Sequence, residues 1–136
     1  MTQMILTQLE TAKHQLDRSI EMLLDHQDYI CSLTLAGAAE GILAGVSSKN
    51  FMFVRDEAAR HFGNTSKEIA DCFNETRNLL KHGTLDISTK AVNINVFESA
   101  FMISRAINAL SHINGEMASD QVLKFIEWSE NNKIFK

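Results

Sequence analysis

The sequence predicts an all-α chain, a four- to five-helix up-and-down bundle forming one domain over residues 1–136, and three observations point there. Proline is absent and only six glycines occur. These residues interrupt helices and punctuate strand-rich folds, so their scarcity favours long unbroken helices. Apolar residues recur in steps of three and four along much of the chain, the spacing that gathers them on one side of a helix. At 136 residues, 45% apolar and 22% charged, the chain can bury one core and has no room for a second domain.

The first helix is expected over residues 3–25, where Ile5, Leu9, Ala12, Leu16, Ile20 and Leu23 form one stripe. Asp17, Glu21 and Asp25 recur at i+4 elsewhere on its surface and read as a solvated acidic face. Residues 29–46, YICSLTLAGAAEGILAGV, are apolar nearly all round, as suits a helix at the centre of a bundle. Glycine inside a helix costs about 1 kcal/mol against alanine, so Gly37 and Gly41 should each admit a close neighbour. Glu40 is a carboxylate in the same apolar run, where an uncompensated charge is costly. Either a cation meets it or its side of the helix is wet.

After the turn-like SSKN, residues 51–62 read as a shorter helix stopped by Gly63 and Asn64. Thr65 and Glu68 then have capping-box spacing, in which hydroxyl and carboxylate satisfy free N–H groups at a helix start. The helix they open has Ile69, Cys72, Phe73, Thr76, Leu79 and Leu80 on its inner face, and Gly83 suits the left-handed position beyond its end. Residues 84–95 alternate in part and read as an ordered loop able to pair in extended form. Asn95 with Glu98 resembles a second cap, opening a helix to about Ile113 that Asn114 and Gly115 terminate. A last helix over 119–131 is dense in Val122, Leu123, Phe125, Ile126 and Trp128.

Several function classes are set aside by composition and spacing. The first fifteen residues lack the apolar core and cleavage site of an export signal. The most apolar run, 33–46, is shorter than the roughly 20 residues of a membrane span and contains Glu40. A cytoplasmic protein with no membrane partner is expected. Cys31 and Cys72 are isolated, without C-x-x-C spacing, and read as buried, reduced and inert thiols. Di-iron bundles use Glu-x-x-His pairs, which do not occur here. The paired acidic motifs of helical nucleotide pyrophosphatases appear only as Glu68-x-x-Asp71 and Glu127-x-x-Glu130, in reverse order and at different ends of the chain. No cofactor and no metal is expected. The formal charge of -4 argues against nonspecific attraction to polyphosphate, which comes from clustered Lys and Arg, and leaves room for a local basic site.

One short stretch carries candidate chemistry. In TRNLLKHG, residues 76–83, Arg77 precedes His82 by five positions near a helix end. Two other Arg-then-His spacings exist, Arg55 to His61 and Arg105 to His112, but only here does Asn78 follow the arginine and Gly83 the histidine. At 100° per residue, Asn78 and His82 stack one turn apart while Arg77 and His82 are about 140° apart. The two converge only if the last turn unwinds toward Gly83 or if a second copy supplies the missing group. Asp71, Glu75, Asn78 and His82 also make a continuous polar stripe, as an ordinary exposed face would.

Arg77-Asn78-Leu79-Leu80-Lys81-His82 resembles the signature of the HEPN family of small helical domains: Arg, often followed by Asn, then about three residues and His. The resemblance implies a HEPN-like helical bundle that homodimerises with its motifs facing each other. In catalytic members it implies metal-independent endoribonuclease activity, common among toxins of toxin-antitoxin and phage-defence systems, with RNA as substrate and an antitoxin protein as partner. Other members are inactive RNA-binding or scaffolding modules, and both readings stay open at this point. The residue types suit cleavage of RNA by its own 2′-hydroxyl, which needs a base, an acid and charge stabilisation on the phosphate. His82 would be base or acid, since an imidazole ordinarily titrates near pH 6.5. Arg77 would clamp the phosphate, Asn78 would orient substrate or imidazole, and Glu40 would orient Arg77. Members partnered with minimal nucleotidyltransferases carry a tyrosine two residues after the histidine. Thr84 stands there in this chain, whose only tyrosine is Tyr29.

Overall fold

Five helices and no strand occur among the residues that the computed structural model describes, 2–45, 66–113 and 115–134, with the backbone alone at 66, 69–70 and 72–74. They are α1 (Gln8–Leu24), α2 (Tyr29–Leu43), α3 (Ser66–Lys81), α4 (Val96–Ser111) and α5 (Asp120–Asn131). The helix expected over 51–62, with Gly63, Asn64 and the capping Thr65, lies outside the described residues. So do the inner-face side chains expected at Ile69, Cys72 and Phe73. Residues 84–95 contain turns at 85–89 and no extended pairing among the described residues.

Four helix starts are capped by a short polar side chain. Thr7 accepts from the Glu10 N–H at 3.0 Å and its hydroxyl donates to the Glu10 carboxylate at 3.1 Å. Because Thr7 is extended and already satisfies that N–H, α1 starts at Gln8 rather than near residue 3. Ile5, expected on the apolar stripe, is consequently 91% exposed. Asn95 accepts from the Glu98 N–H at 3.0 Å, the cap read from the sequence. Ser119 caps α5 through the Val122 N–H at 3.1 Å. Past α4, Gly115 takes the left-handed conformation at φ 83°. Gly83 does not; what it provides is space, since a Cβ there would lie 3.3 Å from Ile87 Cδ1.

The core is built around α2, which packs on α1, α3 and α4. Leu16 and Ile20 from α1, Leu33, Ala36 and Leu43 from α2, and Ile103 and Ala106 from α4 are buried together. A left-handed Gln27, φ 50°, turns the short link between α1 and α2. The Ser19 hydroxyl ties the two by donating to the Ser32 carbonyl at 2.6 Å. The α5 helix closes on α1 through Val122 and Phe125, and its cap is pinned there: the Ser119 hydroxyl donates to Asp17 at 2.7 Å. Thus Asp17 of the acidic row is partly buried and holds α5, whereas Glu21 pairs with Arg18 at 2.6 Å on the outer face. Leu123 and Ile126 face outward, 55% and 39% exposed. Among the described residues, no helix is long and apolar enough to cross a membrane.

Cys31, expected to be buried, is exposed, because it falls in the first turn of α2 on the side away from the core, beside the outward-facing Ile30. The Cys31 N–H donates to the capping carboxylate of Asp28 at 3.0 Å and holds that carboxyl below its usual range; the same carboxylate pushes the Cys31 thiol up. A folded-state carboxyl pKa below the unfolded one means that the cap's stabilisation is present at neutral pH and lost as pH falls through the lowered value. The thiol should therefore be accessible but slow, since the thiolate is the reactive form. Native protein treated with a disulfide reagent at pH 8 is expected to label at Cys31 more slowly than a model peptide. Asp28→Asn, which keeps the cap, should speed that labelling, and Cys31→Ser should remove it. Equal rates for wild type and Asp28→Asn would show that the carboxylate does not govern the thiol.

Candidate functional site

Gly37 and Gly41 lie one turn apart on α2 and leave a bare track on its surface, along which the Arg77 side chain of α3 runs. A Cβ on Gly37 would lie 3.7 Å from Arg77 Nε, and one on Gly41 only 2.6 Å from Arg77 Nη2. Both glycines thus have the close neighbour their cost in a helix calls for. At the end of the track Arg77 Nη1 donates to Glu40 Oε2 at 3.2 Å. Glu40 Oε1 accepts from Arg105 Nη2 of α4 at 3.0 Å.

Of the two alternatives for Glu40, a cation meets it, and there are two. One carboxylate, 2% exposed, joins α2, α3 and α4. The Arg105 side chain is 4% exposed and that of Arg77 23%. Burial pushes the Arg105 guanidinium below the ordinary arginine range; the charge and hydrogen bond of Glu40 oppose that shift, and the like charge of Arg77 adds to it. Two guanidinium groups around one carboxylate leave a net positive charge, and Arg77 is the member that reaches solvent.

Arg105 had no place in the motif read from the sequence, where it appeared only in a loose Arg-then-His spacing. A signal was present: it lies in the apolar stripe of α4, beside Met102, Ala106 and Ala109. A charge in such a stripe needs a buried counter-charge, and Glu40 has the same anomaly on α2.

The other motif residues face elsewhere. The His82 N–H donates to the Asn78 carbonyl at 2.9 Å, an i to i−4 bond, so the last turn does not unwind. Helical geometry therefore keeps Arg77 and His82 about 140° apart within one chain. Asn78 and His82 are exposed, one turn apart. Between them in sequence, Leu79 and Leu80 are partly buried; before them, Thr76 is buried and its hydroxyl donates to Glu98 at 3.4 Å. His82 borders a hollow of about 260 Å³, together with Lys81, Ile87 and Lys90 among others.

No family model, no curated protein and no solved structure matches the chain.

The arrangement itself limits the chemistry open to it. Arg77 presents a cation whose direction is set by Glu40 and by the glycine track, suited to an anion such as phosphate. His82 and Asn78 present a proton-transfer group and an amide on a neighbouring exposed stripe. Among the described residues, no group of three or more His, Cys, Asp or Glu side chains is placed to hold a metal ion.

Proposed function

We propose that the chain is a HEPN-like, metal-independent endoribonuclease that acts in the cytoplasm as a homodimer, the toxin of a toxin-antitoxin or phage-defence system with an antitoxin protein as partner. The observation that carries this reading is the anchoring of Arg77. An arginine laid along two glycines and fixed to a buried glutamate is held in one orientation before substrate arrives, which is what a phosphate clamp requires. Because one chain holds Arg77 and His82 on different sides of α3, the site is completed by His82 of the partner subunit. One imidazole takes the proton of the 2′-hydroxyl, which attacks phosphorus; the 5′-oxygen leaves with a proton from the other imidazole, and a 2′,3′-cyclic phosphate remains. Arg77 neutralises the phosphate oxygens, Asn78 orients the substrate or an imidazole, and Glu40 positions Arg77.

A second reading, a noncatalytic HEPN-like RNA-binding or protein-interaction module, is favoured by one observation. Glu40 accepts from Arg105 inside the core whether or not anything binds, so the ion cluster also serves to join three helices.

The test is cleavage of a mixed structured and single-stranded RNA pool in EDTA by wild type, Arg77→Ala and His82→Ala, with product ends mapped. Wild type alone should cleave and leave 2′,3′-cyclic phosphate ends, with His82→Ala slower by about 10²–10⁴-fold. A folded, dimeric wild type that cuts nothing would leave the second reading, and a monomer at micromolar concentration would remove the shared site.

A further inference from the structure

Two hollows meet beside the end of α3, along Leu80 and Val92, which line both. The first, about 260 Å³, is bordered by Lys81, His82 and Lys90 over an apolar floor that includes Leu79 and Ile87. Lys81, His82 and Lys90 form no side-chain hydrogen bond or salt bridge with one another, and none with an acid among the described residues within 4 Å. Asp86, the acid of this turn, has its carboxylate engaged by the Thr84 hydroxyl and sits in the field of Lys90. The turn itself is held by the Asp86 carbonyl, which accepts from the Thr89 and Lys90 N–H groups at 3.0 and 2.8 Å. In a chain of net charge -4, Lys81 and Lys90 place two cations beside the His82 imidazole on a hydrogen-bonded scaffold.

The second hollow, about 500 Å³, has a different character. Tyr29, the only tyrosine, lines it with Ile30, Asn93 and Gln27. Asp28 is also on its wall, its carboxyl held low by the Cys31 N–H. An ionised carboxylate there repels phosphate, while the aromatic ring and the two amides suit a nucleobase: a face to stack on and groups for its hydrogen-bonding edge. The second hollow, about 500 Å³, lies within the roughly 300–1,000 Å³ range of small-molecule sites, and the first, about 260 Å³, is just below it.

We infer that these adjoining hollows form a track for single-stranded RNA, with a phosphate held by Lys81 and Lys90 in the first and a base stacked on Tyr29 in the second. A duplex would present its bases stacked and paired, out of reach of Tyr29, so the track takes a single strand. The inference rests on the ribonuclease reading for the strand's being RNA and for the role of His82, which borders the phosphate hollow and so would meet the strand that the track delivers. The apolar floor of the first hollow would also suit a protein partner, but the two lysines on its rim favour a polyanion.

The experiment is equilibrium binding of a fluorescent, mixed-sequence 2′-O-methyl RNA octamer, which cannot use its 2′-oxygen for cleavage, over a salt series. The proteins are wild type, Lys90→Gln, Lys81→Gln, Ile87→Asp and Tyr29→Leu, each checked for native helix content. Each lysine variant should weaken binding and lower the slope of log affinity against log salt by about 0.7, the value for one phosphate contact on a single strand. Tyr29→Leu should weaken binding about tenfold with the slope unchanged, as expected for a lost stacking contact. Ile87→Asp should weaken it by charge repulsion, and a duplex competitor should displace the octamer poorly. Absence of wild-type binding, or equal affinity and slope across folded variants, would overturn the track. Binding as described without cleavage of the matching RNA in EDTA would uphold the track and overturn the ribonuclease reading. Cleavage by the four variants at the same sites and rates as wild type would uphold the ribonuclease and overturn the track.

Discussion

Glu40→Ala is expected to cost about 3–5 kcal/mol of folding stability, because it leaves the Arg105 guanidinium buried without its carboxylate. Arg105 is buried in the face of α4 that packs on α2, and its Nη2 is 3.0 Å from Glu40 Oε1. Domains of this size are stable by only about 5–15 kcal/mol, so such a loss removes much of the margin. Arg77→Ala should cost less, about 1–2 kcal/mol, since Glu40 keeps Arg105 as a partner and Arg77 already reaches water. The double replacement Glu40→Leu with Arg105→Met should recover most of the loss, as apolar residues of similar volume often replace a buried ion pair at little cost. Urea unfolding of the variants measures all three. A Glu40→Ala midpoint equal to that of wild type would mean that the carboxylate does not compensate Arg105.

Gly41→Ala separates fold from function in the opposite sense. Alanine at a helix interior is better than glycine by up to about 1 kcal/mol, and Gly41 is at the exposed edge of α2. The added Cβ would lie 2.6 Å from Arg77 Nη2, the far end of a flexible side chain that can swing aside without disturbing either backbone. The helix gain offsets most of the lost Arg77–Glu40 contact, so stability should stay within about 1 kcal/mol of wild type. The displaced guanidinium loses its alignment with Glu40, and misplacement of a clamping group by about 1 Å can cost on the order of 10²-fold in rate. Gly37→Ala is the internal control: its Cβ would meet Arg77 at ordinary contact distance, 3.7 Å. Measured side by side, Gly41→Ala should retain its melting temperature and lose RNA cleavage while Gly37→Ala keeps both. Full cleavage by Gly41→Ala would sink the idea that the track aims Arg77.

Much of this site is legible in the sequence, in the form of anomalies. A glutamate and two glycines inside an otherwise apolar helix each demand a compensating contact: Arg77 fills the space beside both glycines and shares Glu40 with Arg105. The motif's other half was less legible. Its spacing alone says that Arg77 and His82 diverge, and whether the helix end would unwind to bring them together depended on Gly83. That glycine is used for close approach to Ile87 instead of for a left-handed turn, so α3 stays regular through His82.

Local chemistry in the sequence determined the helices that are described, the cap at Asn95, the left-handed stop at Gly115 and the central place of α2, because caps and i, i+4 periodicity involve residues within a turn or two of each other. Tertiary structure alone decided which cations meet Glu40, since Arg77 and Arg105 are 37 and 65 residues away in sequence and reach it only once α3 and α4 pack on α2. It also decided that Ile5 and Cys31 are exposed and that Asp17 holds the cap of α5. Periodicity assigns a residue to a side of its own helix, but burial and pairing depend on which other helix, if any, covers that side.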